Sequence, residues 1–396
     1  MAIQERMSGN EAVAHAIKQV EPDVMPAFPI TPSTELPQFV SSFIANGEIN
    51  TEFIPVESEH SSMSAAIGAS AAGVRALTAT SSCGLALMWE LLYVAASNRL
   101  PICMAVVNRA LSGPLNINSE HSDSMGARDS GWIQIYAENN QEAYDNFIQA
   151  YRIAEHKDVM LPVMICQDGF ITSHAVENIT LEETEKVKEF VGTYEPEHYL
   201  LNPNEPLAVG PYAVSNYCME AKKAQAEAMI SAKQVILDVA REYEQMTGRK
   251  YRFFEEYKMR DAELAIVAIG SACGTIKDAV DKLRKAGKKV GLLKVRVFRP
   301  FPGEEMAKAL RKCQAIAIFD RCEGYNANSG PLAADLEAAL FRAKASAEVI
   351  NYVYGLSGRD LTVNHVTAVF EELAEAAAHG VKDKKYRYIG LREKED

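Results

Sequence analysis

The chain has 396 residues, 48% hydrophobic and 24% charged, an ordinary globular composition long enough for two or three domains. A formal charge of −12 argues against a nucleic-acid footprint, which would need a basic face, and no apolar run nears the roughly 20 residues of a membrane span. The N-terminus has no signal-peptide core, so the expected location is the cytoplasm.

The seven cysteines (Cys83, Cys103, Cys166, Cys218, Cys273, Cys313 and Cys322) form no C-x-x-C pair and no local zinc or iron–sulfur run. Any electron-carrying cluster is therefore expected in another chain.

Ser8-Gly9-Asn10-Glu11 reads as a capping box opening a helix to residue 20. A strand over 24–28 runs into Pro29-Ile30-Thr31-Pro32, whose prolines stop it. A helix over 34–47 and a buried strand over 52–56 follow, then a helix over 60–73 built of Ala, Ser and Gly. Small residues there let a helix, a subunit or a flat cofactor come close. A strand over 75–80 leads to a tight turn, Ser81-Ser82-Cys83-Gly84, and an apolar helix over 85–97. The run over 100–107 reads as a fully buried parallel strand. The polar stretch 108–130 is long enough to be functional or covered by a partner. A helix over 141–156 and a strand over 161–167 complete a βα alternation, which implies a parallel sheet with helices on both faces. A charged helix (181–190), a Pro-marked crossing segment and a long helix (217–246) read as a connector. The rhythm then restarts: strand 264–269, turn 270–274, helix 275–286, strand 290–297, helix 304–312, strand 315–320. A helix over 363–378 and a charged tail end the chain.

Strand ends of a parallel sheet share one edge. That edge would gather Thr31, Glu59, the Ser82-Cys83 turn and Arg109. Glu59 by itself fits a helix N-terminal carboxylate equally well. Arg109 reads either as an anion clamp or as the partner of Asp123 or Asp129. His60, His121 and His174 fit no metal-ligand spacing. The turn before residue 275 lacks the Lys of a P-loop and the full Rossmann spacing, so a plain turn is favoured over a weak anion site. Arg359 between Gly358 and Asp360 reads as an ion pair at a domain boundary.

Several motifs together resemble the α subunit of pyruvate:ferredoxin oxidoreductases, within the 2-oxoacid:ferredoxin oxidoreductase family. They are Ala27-Phe28-Pro29-Ile30-Thr31-Pro32, Val56-Glu57-Ser58-Glu59-His60-Ser61, Val107-Asn108-Arg109-Ala110-Leu111-Ser112, Arg128-Asp129-Ser130-Gly131-Trp132, Arg299-Pro300-Phe301-Pro302, Gly355-Leu356-Ser357-Gly358-Arg359-Asp360 and Tyr388-Ile389-Gly390-Leu391-Arg392. The resemblance implies an α/β fold. Residues 1–180 would be a doubly wound, pyrimidine-type thiamine diphosphate-binding domain, 181–254 a connector, and 255–396 a transketolase C-terminal-like domain. It also implies oxidative decarboxylation of a 2-oxo acid with coenzyme A, the electrons passing through 4Fe–4S clusters to ferredoxin. By resemblance, Glu59 would hydrogen-bond the aminopyrimidine nitrogen and drive the imino tautomer that deprotonates the thiazolium carbon. Thr31 and Arg109 would hold the 2-oxo acid, Arg109 by its carboxylate, and Ser82 and Cys83 would border the cofactor. The magnesium–diphosphate motif is absent here. Mg2+ and the clusters would lie in partners, among the β, γ and δ subunits.

Two positions depart from the pattern: relatives usually carry Gln where this chain has Cys83, and many carry Trp near Asn118. A smaller Cys83 would suit a bulkier acid, phenylglyoxylate or a branched-chain one, possibly with NAD as final acceptor. Thr31 counts against an oxalate enzyme. A non-catalytic structural subunit and a flavodoxin-like nucleotide binder are the readings from other classes. The first conflicts with the joint presence of Thr31, Glu59 and Arg109, the second with the missing phosphate loop.

Overall fold

Apolar strands too short to be stable alone must stack their faces on helices, and here they do so in two mainly parallel sheets, each with one antiparallel strand. The structure, a computed structural model, describes residues 3–325, 328–381 and 386–392. The charged tail of the sequence falls partly outside them, at 382–385 and 393–396.

The first unit runs β1 (Ile3–Met7), α1 (Gly9–Val20), β2 (Val24–Ala27), α2 (Glu35–Ala45), β3 (Glu52–Pro55), α3 (Glu59–Ala72), β4 (Leu77–Thr80) and α4 (Ser82–Leu87). It continues with α5 (Trp89–Ser97), β5 (Cys103–Asn108), α6 (Ser122–Gly126), β6 (Ile133–Tyr136), α7 (Asn140–Ala154) and β7 (Val163–Asp168). β5 lies between β4 and β7, with β6 beyond β7, all parallel. A parallel bridge from Val24 to Ala76 joins the β2–β3 pair to the β4 side. β8 (Glu177–Leu181) pairs antiparallel with β1, and α8 (Thr184–Val191) and the long α9 (Ser215–Thr247) follow.

The second unit runs β9 (Phe254–Tyr257), β10 (Leu264–Ile269), α10 (Ala272–Lys285), β11 (Val290–Val295), β12 (Val297–Arg299), α11 (Gly303–Leu310) and β13 (Ala315–Asp320). It ends with α12 (Pro331–Arg342), β14 (Glu348–Val353), α13 (Val363–His379) and β15 (Arg387–Tyr388). Its sheet order is β15-β14-β13-β10-β11-β9, with β9 antiparallel. One core serves both units: Met104, Val106 and Trp132 of the first share a cluster with Leu293, Met306 and Leu332 of the second.

Several local expectations need correction. The stretch 290–297 is not one strand: β11 stays in the second sheet, and β12 crosses to pair antiparallel with β6 of the first. β3 is not buried but an outer strand with half-exposed residues. The turn at 81–84 is already helical, because α4 starts at Ser82 and breaks at Met88 before α5. Only half of the first capping box forms, Ser8 Oγ accepting from the Glu11 N–H at 3.2 Å. The charged helix begins at Thr184, residues 177–181 being strand. α6 interrupts the polar stretch 108–130. Among the described residues, no helix is long and apolar enough to cross a membrane.

Candidate functional site

β2, β3, β4 and β5 end on one edge, as the parallel pattern requires. α3 begins there because Ser58, in extended backbone, accepts the Ser61 N–H on its Oγ at 3.2 Å. Glu59 is therefore the first helical residue. It is 6% exposed, yet its carboxylate makes no hydrogen bond or ion pair within the described chain. Ser62, one turn on, pins the helix to the sheet through Pro26 O (2.8 Å) and Thr78 Oγ1 (2.7 Å). Gly84 completes the fit: a Cβ there would lie 2.5 Å from Thr80 Oγ1 and 2.7 Å from Glu59 Oε1. The hydroxyls of Thr80 and Ser81 are also buried without partners. Unpaired buried polar groups are costly, and these two hydroxyls share the edge with the Glu59 carboxylate, where a polar ligand would satisfy them.

Asp123 organises the opposite side. It is 3% exposed, and its Oδ2 accepts from the N–H groups of Ser82 (2.9 Å) and Arg109 (3.0 Å). Its Oδ1 accepts from Asn108 Nδ2 (2.8 Å) and the Ser124 N–H (2.7 Å). Burial raises its pKa, and these four donors oppose the rise. Asp123 thus meets Arg109 through the main chain. The guanidinium turns elsewhere, donating from Nε to Asn116 O (3.1 Å) and from Nη1 to Thr31 O (2.9 Å). Asp129 does not hold it either, pairing instead with Arg128 and Arg299. Among the described residues, the Arg109 guanidinium consequently pairs with no carboxylate, and Nη2 has no partner.

Thr31 is exposed on the turn after β2, its carbonyl tied to Arg109. Ser82 adopts φ 47°, a left-handed conformation unusual for a residue with a Cβ, and donates its Oγ–H to Ala110 O at 2.5 Å. Cys83 Sγ lies 3.0 Å from Ser112 Oγ. That hydrogen bond is the main cause lowering the thiol pKa; burial opposes it, and the Arg109 charge assists. The structure therefore brings Thr31, Glu59, Ser82, Cys83 and Arg109 to one edge.

Other candidates have structural partners. The N-terminus of α10 already holds an anion of its own chain: Asp168 accepts the Ser271 N–H at 2.8 Å. His121 bonds Asp168 at 2.6 Å, and His174 bonds Ser173 at 2.7 Å. Arg359 forms no pair with Asp360; it donates to Gly390 O at 2.7 Å. Among the described residues, no group of His, Cys, Asp or Glu is placed to hold a metal ion.

Residues 15–241 match the family model of the thiamine diphosphate-binding domain of pyruvate flavodoxin/ferredoxin oxidoreductases, and 262–366 match core domain II of pyruvate:ferredoxin oxidoreductase. Fold and family models together define a subunit of the thiamine diphosphate-binding oxidoreductases. The chain is 50% identical to pyruvate synthase subunit PorA of Thermotoga maritima and 46% identical to that of Methanocaldococcus jannaschii, covering 98% of both chains in each case. It is 42% identical to ketoisovalerate oxidoreductase subunit VorA of Pyrococcus abyssi, again over 98% of each chain. The chain belongs to the pyruvate flavodoxin/ferredoxin oxidoreductase family. In fold it is similar to a 2-oxoglutarate:ferredoxin oxidoreductase from Magnetococcus marinus (TM-score 0.76, 21% identity), covering 94% of this chain and 65% of that one. A split-gene transketolase is a more distant match in fold (TM-score 0.54, 13% identity, 93% of this chain and 98% of that one).

Proposed function

We propose that this chain is the α subunit of a multi-subunit enzyme that oxidatively decarboxylates pyruvate with coenzyme A and passes the electrons to ferredoxin. The carrying observation is Glu59, a buried carboxylate without a partner among the described residues, on the same edge as an Arg109 guanidinium that pairs with no carboxylate among them. The residues present fit thiamine diphosphate: the ring would meet Glu59 with Gly84 beside it, and Ser82 and Cys83 would border it. The chemistry that thiamine diphosphate supplies when bound is a carbon nucleophile for the 2-oxo group. In this reading Glu59 Oε1 or Oε2 holds a proton shared with a weakly basic ring nitrogen, in a site that Gly84 and Ser62 keep closely packed. Arg109 Nη2, with Thr31 alongside, orients the carboxylate of the 2-oxo acid. Mg2+, the diphosphate end and the 4Fe–4S clusters fall to the β, γ and δ partners, in keeping with scattered cysteines here. The division 1–180, 181–254 and 255–396 belongs to the same reading, as does a place in the cytoplasm.

Pyruvate is favoured because relatives named for it reach 50% identity, against 42% for the ketoisovalerate subunit. Cys83 supports a second reading, a branched or aromatic 2-oxo acid, since a thiol leaves more room than a longer side chain. Assaying the purified complex on a panel of 2-oxo acids decides between them; a kcat/KM higher for 2-oxoisovalerate or phenylglyoxylate than for pyruvate would reverse the choice. Calorimetry on the α chain alone with thiamine diphosphate and Mg2+ is expected to show no tight binding. Stoichiometric tight binding would place the diphosphate site in this chain.

A further inference from the structure

The motif Gly355-Leu356-Ser357-Gly358 lies in the second unit, and no catalytic role accounts for it. Its contacts lead back to Arg109. Residues 116–121 form an irregular segment whose near end is tied to the substrate side. Asn116 O accepts Arg109 Nε at 3.1 Å, Asn118 O accepts the Ala110 N–H at 3.1 Å, and Asn116 Oδ1 accepts the Asn118 N–H at 2.7 Å. Its far end is held by the second unit. Ser119 O accepts the Gly358 N–H at 2.9 Å, Glu120 Oε2 accepts the Ser357 N–H at 3.1 Å, and the His121 N–H donates to Arg321 O at 2.8 Å. Asp168 closes the seam, accepting from Ser119 Oγ (3.2 Å) and Arg321 Nη1 (3.0 Å). The turn is also shaped for the segment. Gly358 has φ +79°, and a Cβ there would sit 2.5 Å from Asn118 Cβ.

We propose that the 355–358 turn is a positioning element of the substrate site: it holds segment 116–121, and through Asn116 the Arg109 guanidinium, in the place from which it would meet a bound 2-oxo acid. This rests on the reading of Arg109 as the carboxylate-binding group. A side chain at 358 must push Asn118 away or leave the left-handed region, and either shift reaches Arg109 within two residues of chain. Displacements of this size in a positioning group have large kinetic effects.

The test uses the assembled, cofactor-loaded complex. Gly358→Ala is expected to raise KM for pyruvate about tenfold or more, with cofactor content unchanged and kcat lowered less than KM is raised. In an Arg109→Lys background the same substitution is expected to add little, because both act on one interaction. Should Gly358→Ala fail to assemble, Glu120 decides: Glu120→Ala removes the acceptor for Ser357 and is expected to raise KM, while Glu120→Gln keeps a carbonyl oxygen there and restores it. If Arg109→Lys raises KM but neither Gly358→Ala nor Glu120→Ala does, the positioning role is wrong and the reading of Arg109 stands. A KM rise in Gly358→Ala that is undiminished in the Arg109→Lys background also overturns it. If Arg109→Lys itself leaves KM unchanged, the reading of Arg109 falls first.

Discussion

Glu59 and Asp123 are both buried carboxylates, and their donors separate their roles. Asp123 is used up by four N–H groups from residues 82, 108, 109 and 124, whereas Glu59 has none among the described residues. Glu59, Arg109 and Thr31 were legible in the sequence, each in a polar motif just after an apolar strand. Asp123 was legible only as a side-chain partner for Arg109, since its cradle of main-chain donors exists only once β4 and β5 lie side by side. Cys83 is the residue from which substrate range is expected to follow. Its thiol touches Ser112 and lies within the field of Arg109, at the mouth of the site. Cys83→Gln adds volume there and is expected to penalise large side chains by roughly 1–3 kcal/mol. The ratio of kcat/KM for pyruvate against 2-oxoisovalerate should rise. An unchanged ratio would show that Cys83 does not set substrate size.

α3 and α4 approach as closely as they do because one is built of Ser and Ala and the other has Gly84 at its contact point. The small-residue composition of α3 was readable from sequence, but its contact, the start of α4, was not. Gly84→Ala would drive a methyl group against Thr80 Oγ1 and Glu59. Overpacking of this kind costs about 1–3 kcal/mol, and here the carboxylate must move. The variant complex is expected to lose kcat by about tenfold or more while circular dichroism stays unchanged; wild-type kcat would show that Glu59 tolerates displacement. The elements misread from sequence share a cause. β12 continues an apolar run with β11, so nothing local marks where the chain changes sheets. β1 and β8 are defined by pairing across some 170 residues, which no window of periodicity sees. The strand ends, helices and βα rhythm that locate the site were readable because each leaves a local apolar pattern.

The two units share a core and a buried polar seam, and the protein as a whole should respond to pH through Asp168 in that seam and through Asp320, buried within the second unit. Burial pushes the Asp320 carboxyl up to about 7, against N–H donors from Leu332, Ala333 and Asn351. An unfolded Asp titrates near 3.9. Between about pH 4 and 7 the folded chain therefore keeps a proton that the unfolded chain has released, and this group's contribution to stability falls as pH rises, by up to about 1.4 kcal/mol per unit. Asp168 has the opposite sign. Burial works against its ionisation, yet Arg321 and His121 beside it hold its pKa well below the usual carboxylate range. Its contribution is present above about pH 4 and is lost as pH falls further. Thermal unfolding of the complex from pH 5 to 7 is expected to show a downward Tm slope that Asp320→Asn reduces; parallel slopes would contradict it. In the proposed reading the chain would supply half of a shared site, with Glu59 as its contribution to the chemistry. The most direct measurement is the exchange of the cofactor's acidic carbon-bound proton with deuterated solvent in the assembled complex, with Glu59 and with Glu59→Gln. Exchange slowed by about 10²–10⁴-fold at full cofactor occupancy is the expected result, and wild-type exchange in the loaded variant would contradict the role given to Glu59.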